Sequence, residues 1–357
     1  MATILHLLGS NLPTGTTKQI GYLSNGLHEL GHVSQFCSVE HTESRKRILR
    51  SLLPSVQFCR QSLRFDPTFV IRLAKQIRMT NPDIMHCWGI FHPSLVRMAA
   101  RLAGSPAEVW SVRSHAEKAN LGKLGGVFSI VANANHLIEG MPDRATVIKN
   151  GVETSDPPNI VAPLHHELEL DSNTQFIAAV GDLRSKKQFT NLTWSLDLLR
   201  VIRPNFHLLI VGDGTERNKI SAFNRTTSCA AAVHMLGHRE DVASILRQSV
   251  CFWQASEDEA CSNAMLEAMA MSLPIIASDT LGHRELTQGD KYGQLVPLGD
   301  CAEFARRTNV LLKNLDVAHA KASDARNYVQ ECFSIGEMVA QYRAIYESLA
   351  ARRSSAA

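Results

Sequence analysis

The sequence predicts an α/β protein made of two domains of similar size, each containing a parallel β-sheet. Short apolar runs of strand length alternate with helical stretches along the chain, a pattern typical of parallel sheets with crossover helices. With 357 residues, the chain is long for one domain and long enough to bury two separate cores. A stretch with little periodicity, opened by Asp156, Pro157 and Pro158, separates the halves and predicts a linker.

The first half alternates strands and helices from its beginning. Ile4–Leu8 is the first predicted strand, and a loop over Gly9–Gly15 leads into a helix over about Thr17–Leu30. Gly31 then signals a C-cap, because glycine adopts the left-handed conformation without steric cost. A second helix is predicted over about Pro93–Leu102. The other predicted strands are Ser34–Ser38, Ile84–Cys87, Glu108–Val112, Ser129–Ala132 and Ala145–Ile148.

The second half repeats the alternation without repeating the sequence. Its predicted strands are Phe176–Val180, His207–Val211, Val233–Leu236, Val250–Trp253 and Pro274–Ala277. Its predicted helices are Phe189–Ile202, Asp241–Gln248, a helix after Ser262 and a helical region from about Cys301. The predicted limits are 1–155 for the N-terminal domain, 156–174 for the linker, 175–335 for the C-terminal domain and 336–357 for a final helix and tail. We expect two nucleotide-binding-like domains that face each other across a cleft.

The stretch after Val250–Trp253 combines two carboxylates with the start of a helix. Ser262 stands at the N-cap position, and Pro274 ends the helix because proline cannot continue it. Glu259 precedes the helix, whereas Glu267 lies inside it, roughly 7 Å along the axis at about 1.5 Å per residue. The unpaired backbone N–H groups between them suit a phosphate. The arrangement fits a nucleotide-sugar, although a merely solvated acidic loop before a helix has the same pattern.

Composition narrows the class of protein and its location. Hydrophobic residues make up 45% of the chain and charged residues 20%, and no apolar run approaches the ~18 residues of a membrane-spanning helix. The first residues lack a basic region and a cleavage site, so we expect a strand there and not a signal peptide. The eight cysteines show neither C-x-x-C nor metal-ligand spacing. We therefore expect a reducing, cytoplasmic location.

The charge is distributed unevenly between the halves. Residues 1–155 hold 17 Lys and Arg against 10 Asp and Glu, a net +7, and the remainder holds 20 against 24, a net −4. The basic excess consists mainly of Arg45, Lys46, Arg47, Arg50, Arg60, Arg64, Arg72, Lys75 and Arg78. Such a face suits peripheral contact with anionic lipid, at about 1 kcal/mol per basic residue, although a solvated helix face carries the same charges. Nucleic acid is not expected as a partner, because no aromatic interleaving or reader motif accompanies the charge.

Segments in both halves resemble the family 4 retaining glycosyltransferases. The spacing of Glu259, seven further residues and then Glu267–Ala270 is similar to the donor-site signature of that family. The other similar segments are Gly31–Val33, Pro82–His86, Val147–Val152, Ile210–Gly214, Gly237 with Asp241 and Val242, Leu273–Asp279, Gly282–Leu286, and Gly293 with Leu295–Pro297 and Gly299–Asp300. They occur in the family's order over most of the chain.

This resemblance implies a GT-B fold, in which two Rossmann-like domains face each other and a last helix crosses back to the first. It implies retaining, metal-independent transfer of a sugar from a nucleotide-diphosphate donor to a hydroxyl of a glycan, a lipid-linked or a small-molecule acceptor. Carried over by position, Glu259 holds the transferred sugar and Glu267 the ribose hydroxyls. The backbone near Ser262 and Asn263 receives the diphosphate. Gly212 lies in a matching strand-end turn and is expected at the donor.

The sequence departs from the family at the phosphate-binding cations. The family commonly has Arg directly after the glycine that ends the first C-terminal strand, and Lys five residues later. Here Asp182 takes the Arg position, whereas Lys187 is kept. Lys187 is expected to bind the diphosphate, and Arg184 to substitute for the missing Arg. The structural alternative for Asp182 is to cap the next helix or to pair with Lys186.

Three residues of the first half are candidates by similar reasoning. His115 and Arg113 follow a predicted strand, on the ligand-binding side of an α/β sheet. The resemblance places a histidine like His115 against the donor sugar or the acceptor, and Arg113 on the acceptor side. Gly15 lies in the first-strand loop, where the family's backbone approaches the diphosphate. Each also has an ordinary structural interpretation.

The sequence lacks the motifs of several other reaction classes. Gly212-Asp213-Gly214 lacks the third glycine of a dinucleotide site, and neither G-x-x-x-x-G-K-S/T nor G-x-S-x-G occurs. No D-x-D is present, so neither a metal nor another cofactor is expected. The triplet Glu257–Glu259 suits a cation or hydroxyl recognition. The alternatives are a sugar-nucleotide epimerase or a disaccharide phosphorylase of the same fold, and a non-catalytic nucleotide-sugar-binding protein, which Asp182 favours.

Overall fold

The computed structural model describes residues 1–10, 12–39, 42–53, 55–59, 67–89, 92–121, 128–143, 145–155 and 163–354. Two compact units make up this structure, Met1–Gly151 with Ile335–Ala357, and Val152–Ser334. Arg60, Arg64 and the predicted linker residues 156–162 lie outside the described residues.

The first unit is built on a parallel sheet flanked by helices. Its described strands are β1 (Thr3–Leu8), β2 (Val33–Ser38), β3 (Gln57–Phe58), β4 (Ile84–Trp88), β5 (Ala107–Val112), β6 (Ser129–Ala132) and β7 (Ala145–Val147). They lie in the order β3-β2-β1-β4-β5-β6-β7. The helices are α1 (Thr14–Glu29), α2 (Glu43–Leu52), α3 (Pro67–Thr80), α4 (Pro93–Leu102), α5 (His115–Leu121) and α6 (Asn135–Ile138). The central strands β1 and β4 are buried along almost their whole length, as is typical of parallel sheets that helices cover on both faces.

The second unit has the strand order of the first six strands of the first unit, and no described strand of its sheet corresponds to β7. Its strands are β8 (Gln175–Val180), β9 (Phe206–Val211), β10 (Val233–Gly237), β11 (Ser249–Gln254), β12 (Ile275–Ser278) and β13 (Gln294–Val296), arranged β10-β9-β8-β11-β12-β13. Its helices are α7 (Leu164–Glu167), α8 (Phe189–Arg200), α9 (Arg217–Asn224), α10 (Val242–Arg247), α11 (Asn263–Ala270), α12 (Leu281–Thr287), α13 (Cys301–Lys313) and α14 (Leu315–Cys332). Both sheets are therefore doubly wound, which confirms the predicted α/β fold class.

The last helix, α15 (Ile335–Ser354), packs in the first unit, as the predicted crossing helix should. Tyr342 and Tyr346 are buried in the same core cluster as β1 and β4. The Tyr346 hydroxyl lies 2.6 Å from Nδ1 of the buried His86 on β4. A Cβ on Gly26 of α1 would meet the Val339 side chain at 2.6 Å, so glycine allows this close packing.

The chain passes between the units at two neighbouring points. The Gly151 amide and carbonyl are both bonded by the Gln19 side chain, at 2.8 and 2.7 Å. A Cβ on Gly151 would lie 2.9 Å from the Ile335 Cα. Val152 donates its amide to the Phe333 carbonyl at 2.9 Å. The segment that leaves the first unit and the segment that returns to it therefore lie next to each other.

Two sequence expectations differ from the structure. The helix α1 begins at Thr14 and not near Thr17, so Gly15 lies in its first turn and not in a loop. Burial of Thr16 and Thr17 offsets the weak helix propensity of this segment. Part of the predicted linker is structured, because α7 buries Leu164 in a cluster with Phe176. No helix of the described chain combines the length and apolarity needed to cross a membrane.

Candidate functional site

The candidate site of the second unit lies where β8 and β11 end. These strands are neighbours at the point where the strand order reverses. Ligands of doubly wound sheets bind beyond the carboxyl ends of the strands at this point. The segment Gly181–Lys187 follows β8, and the acidic loop Ala255–Ser262 follows β11. The topology thus brings together two segments that are 72 residues apart in the chain.

The start of α11 has the predicted cap. The Ser262 hydroxyl accepts the Met265 N–H at 3.3 Å and donates to Oε1 of Gln254 at 2.8 Å. Asn263 is the first residue of the helix and Glu267 the fifth, so the two share one helix face. Both are half-buried, whereas Met265 and Leu266 are buried in the core. This face is the polar face of the helix.

The acidic loop is paired with the short turn over Ser185–Lys187 and the residue after it. The side-chain pairs are Lys186 with Asp258, Lys187 with Glu259, and Gln188 with Glu257. The Glu257 amide also donates to the Lys186 carbonyl at 2.9 Å. The carboxylates of the triplet therefore have specific partners and are not simply solvated.

Glu259 is the most enclosed carboxylate of the triplet. Its side chain is 13% exposed and that of Lys187 is 24% exposed, and Nε2 of Gln254 lies 3.3 Å from Oε1 of Glu259. Burial alone would raise the pKa of Glu259. The charge of Lys187 and hydrogen bonds from Lys187 and Ser256 outweigh burial and hold this pKa below its usual range. Glu259 is therefore ionised at neutral pH.

His283, on α12, is a site residue to which the sequence prediction gave no role. Its ring is fully buried, and Nδ1 lies 2.6 Å from the Ser278 carbonyl, so Nδ1 carries the proton. Nε2 is then an acceptor, and it has no hydrogen-bond partner among the described residues. Burial lowers the pKa of His283 against the opposing charge of Glu259, so the ring is neutral at neutral pH.

The substitution at the family's arginine position has a visible structural consequence. Asp182 lies 3.5 Å from the Arg184 guanidinium, and the two side chains neutralise each other. Both structural alternatives for Asp182 are wrong, because Lys186 pairs with Asp258 and no side-chain cap is present at α8. Lys187 is thus the cation paired with Glu259, the most enclosed carboxylate of the acidic loop.

Two glycines allow backbone segments to approach closely around the site. A Cβ on Gly212 would lie 2.1 Å from the Gly181 carbonyl oxygen, where φ of Gly212 is +133°. A Cβ on Gly282 would lie 2.0 Å from the Glu259 carbonyl oxygen. A side chain at either position would displace its neighbour. Gly212 therefore has a packing role in this structure, and its contact with a donor stays a prediction.

The three first-unit candidates lie at the carboxyl side of its own sheet. His115 is exposed at the start of α5, with its ring 5.6 Å from that of His136. The Arg113 guanidinium bonds the Asn150 side chain and lies 5.8 Å from the Trp88 ring. The functions of His115, Arg113 and Gly15 stay predictions. No group of three or more His, Cys, Asp and Glu side chains within the described ranges is arranged to hold a metal.

Comparison with known proteins relates this geometry to a family. Residues 174–314 match the model of the Glycosyl transferases group 1 family. N-acetyl-alpha-D-glucosaminyl L-malate synthase of Bacillus anthracis is 26% identical over 218 residues, which are 61% of this chain and 57% of that protein. The UDP-Gal:alpha-D-GlcNAc-diphosphoundecaprenol alpha-1,3-galactosyltransferase of Escherichia coli is 27% identical over 320 residues, 81% of each chain. The chain spans about half the length of several curated relatives, between 44% and 57%.

A solved structure shows the fold over nearly the whole chain. HepE of Anabaena, in complex with UDP and glucose, superimposes with a TM-score of 0.81 at 16% identity, over 98% of this chain and 100% of HepE. The predicted GT-B fold is therefore confirmed. The match to the Glycosyl transferases group 1 model lies within the second unit.

Proposed function

We propose that this chain is a glycosyltransferase that moves a sugar from a nucleotide-diphosphate sugar to an acceptor hydroxyl. The observation that carries the proposal is the Lys187–Glu259 pair beside the capped start of α11, at the strand-order reversal of a glycosyl transferases group 1 domain. One small region then offers a cation, the first backbone N–H groups of a helix and an ionised carboxylate. These are the groups that a diphosphate and a sugar require.

Each group has a proposed part in donor binding. Glu259 accepts hydrogen bonds from hydroxyls of the transferred sugar. The first N–H groups of α11, near Ser262 and Asn263, bind the diphosphate. Glu267, on the same helix face as Asn263, binds the ribose hydroxyls.

Lys187 exchanges partners when the donor binds. In the described structure it is neutralised by Glu259, so a diphosphate competes with that carboxylate for the ammonium group. The exchange also releases Glu259 for the sugar hydroxyls. Arg184 is held by Asp182, and recruiting it requires the loss of that ion pair.

The proposed mechanism is retaining, metal-independent and without a protein nucleophile. The glycosidic bond breaks as positive charge develops on an oxocarbenium-like sugar and negative charge on the leaving diphosphate. Lys187 and the α11 N–H groups stabilise the leaving diphosphate, and they take the place that a bound metal cation has in metal-dependent enzymes. His115, Arg113 and Gly15 of the first unit are proposed on the acceptor and donor-sugar side.

The relatives suggest a UDP-sugar as the donor and a glycan or lipid-linked acceptor. HepE was solved with UDP and glucose, and the E. coli relative is named for UDP-Gal and a diphosphoundecaprenol acceptor. A lipid-linked acceptor agrees with the proposal that this protein is cytoplasmic and makes peripheral contact with the inner face of the membrane. The exposed Arg47 and Arg50 of α2 and Arg72 and Lys75 of α3 suit anionic lipid, at about 1 kcal/mol each.

The direct test is a thermal-shift screen against UDP-, GDP-, ADP- and CMP-sugars. A ligand at a hundred times its Kd stabilises the folded chain by about 2.7 kcal/mol, so we expect a clear shift with a UDP-sugar. Transfer to glycan and lipid-linked acceptors in EDTA, with the anomeric configuration of the product read by NMR, tests the mechanism. An inverted product or activity that requires a metal ion would contradict the mechanism, and no shift with any of the sugars would contradict the function.

A second candidate function has one observation in its favour. Because Asp182 neutralises Arg184, the diphosphate meets less positive charge than in the family pattern. A protein that binds a nucleotide-sugar without turnover would tolerate this change. Tight donor binding with neither hydrolysis nor transfer over a broad acceptor panel would favour that function.

A further inference from the structure

Gln254, the last residue of β11, uses every polar atom of its buried side chain. Its Oε1 accepts the Ser262 hydroxyl at 2.8 Å. Its Nε2 donates to the Ser256 hydroxyl at 3.2 Å and to Oε1 of Glu259 at 3.3 Å. The side chain is 4% exposed, so these partners replace water. One amide thus joins the acidic loop to the first turn of α11.

The orientation of this amide follows from its partners. The Ser262 oxygen already accepts the Met265 N–H, so its own proton goes to an acceptor, which is Oε1 of Gln254. The flipped amide would place Oε1 against the ionised Glu259 carboxylate. Repulsion between two acceptors excludes that arrangement.

We propose that Gln254 is a positioning residue that holds the Glu259 carboxylate and the N-terminus of α11 in one fixed arrangement. The inference rests on the proposed function, in which Glu259 binds the sugar and α11 binds the diphosphate. Gln254 couples the two subsites because a displacement of either partner breaks a bond of the same amide. It acts through Glu259 and Ser262 and does not contact the donor.

The surrounding contacts show why the carboxylate needs this residue. The Ser278 hydroxyl donates to the Ser256 carbonyl at 2.5 Å, and Gly282 packs against the Glu259 carbonyl, so the loop backbone is fixed. The Glu259 side chain still has Lys187 as a second partner. Once a diphosphate takes Lys187, the hydrogen bonds from Gln254 and Ser256 are what retains Glu259 in place. The ring of His283 is the other titratable group beside Glu259.

Two variants of nearly equal size separate positioning from packing. Gln254→Met removes all three hydrogen bonds, and Gln254→Glu keeps an acceptor for Ser262 but places a second carboxylate beside Glu259. Two adjacent carboxyls share a proton, so one of them titrates well above its usual range. Protonated Glu at this position restores a donor to Glu259. Only Gln254→Glu is therefore expected to recover as the pH falls.

The matched control is Thr308→Val. Thr308 is fully buried and accepts the indole N–H of Trp253 at 3.0 Å, on the opposite face of β11 from Gln254. This variant also loses a buried hydrogen bond of the same strand, but it leaves the acidic loop untouched. Each variant is compared per folded molecule after urea unfolding has given its stability.

The probes are UDP and UDP-glucose, titrated by calorimetry into the full chain between about pH 6 and pH 8. For Gln254→Met we expect the Kd of UDP-glucose to rise about tenfold at every pH, and that of UDP about threefold. For Gln254→Glu we expect the tenfold loss near pH 8 and recovery of most of it near pH 6. Thr308→Val should bind as the wild type does. Wild-type binding by Gln254→Met, or parallel pH profiles for all proteins, would overturn the proposal.

A second readout does not depend on the proposed function. In ligand-free protein with ¹³C-labelled glutamate, Gln254→Glu should show one more carboxyl titration step between about pH 5 and pH 8 than the wild type, in which burial already raises the pKa of Glu117. The step should vanish in the double variant with Glu259→Gln. Its absence from Gln254→Glu would overturn the proposal. If Gln254→Glu shows this step but the wild type binds neither UDP nor UDP-glucose, the result would instead contradict a UDP-sugar donor and leave the positioning role of Gln254 standing.

Discussion

The two units have similarly wound sheets, but the polar side chains on and beside these sheets have different kinds of partner. In the first unit, His86 is bonded through both ring nitrogens, to the Tyr346 and Ser111 hydroxyls, and Arg113 is bonded to Asn150. In the second unit, Lys187 and Glu259 neutralise each other across two loops. The first arrangement is neutral at its centre and satisfied by the chain. The second consists of opposite charges that an anionic, hydroxyl-rich ligand is able to separate.

The difference shows which polar groups serve stability and which serve binding. A buried histidine with two partners fixes α15 to the sheet and leaves nothing for a ligand. The mostly buried Lys187–Glu259 pair contributes little net stability, because the cost of removing two charges from water offsets their Coulomb attraction. Changes in the first unit should therefore lower the free energy of unfolding, and changes in the second should alter binding and turnover.

The largest effect is expected for Glu259→Ala. Transfer should fall at least about tenfold while the fold survives, because the sugar loses its carboxylate. UDP should bind more tightly than in the wild type, because Lys187 loses its internal counter-ion. Turnover assays and UDP calorimetry measure the two results. Unchanged turnover would remove Glu259 from the site, and weaker UDP binding would contradict the exchange of partners by Lys187.

Tyr346→Phe should produce the next largest effect, on stability alone. It removes the hydroxyl that partners Nδ1 of the buried His86, which costs about 2 kcal/mol. Urea unfolding measures this loss, and turnover per folded molecule should stay the same. A loss of turnover without a loss of stability would contradict the contrast between the units.

Lys187→Met should weaken UDP binding about tenfold, or about 1.4 kcal/mol, because the diphosphate loses its cation. Lys186→Met is the matched control. Lys186 is also paired with a loop carboxylate, but its side chain is 68% exposed, so binding should change less than about twofold. Equal losses in both variants would indicate a general electrostatic effect and not a phosphate site.

The smallest expected effect is a pH dependence of the free energy of unfolding that is due to His6 of the first unit. Burial lowers the pKa of His6 from its usual value to about 3. As the pH falls, His6 is therefore protonated in the unfolded chain before it is protonated in the folded chain. The free energy of unfolding decreases as the pH drops below about 6.5. Between about pH 7 and pH 5.5 the loss due to His6 is about 1 kcal/mol. Urea unfolding of the wild type and His6→Asn measures it, and an equal pH dependence in both would contradict the assignment.

Strong local signals made the centre of the second unit predictable. The strand β11, the Ser262 cap and the end of α11 before Pro274 follow from apolar runs, a capping residue and a proline. The helix α3 was also within reach of sequence reasoning but is missing from the prediction. Its buried residues recur at helical spacing. They are Phe69, Val70, Leu73, Ala74 and Ile77.

Other features depend on contacts that no local pattern records. The strands β3 and β13 have two and three residues, too few for a visible alternation. The pairing of Lys187 with Glu259 spans 72 residues and exists because β8 and β11 are neighbours. Gln254 is an ordinary strand-end residue in the sequence, and its importance follows from three tertiary hydrogen bonds. Asp182 was visible as a departure, but only the structure shows that it neutralises Arg184.

The adjoining passages of chain at Gly151–Val152 and Ser334–Ile335 have a practical consequence for protein engineering. The amide of Val152 is bonded to Phe333, so the two ends of the second unit already meet. The second unit, residues 152–334, is an insertion in the sequence of the first unit. If it is removed, a linker of a few residues should be enough to join Gly151 to Ile335. Either piece is thus a natural candidate for separate expression.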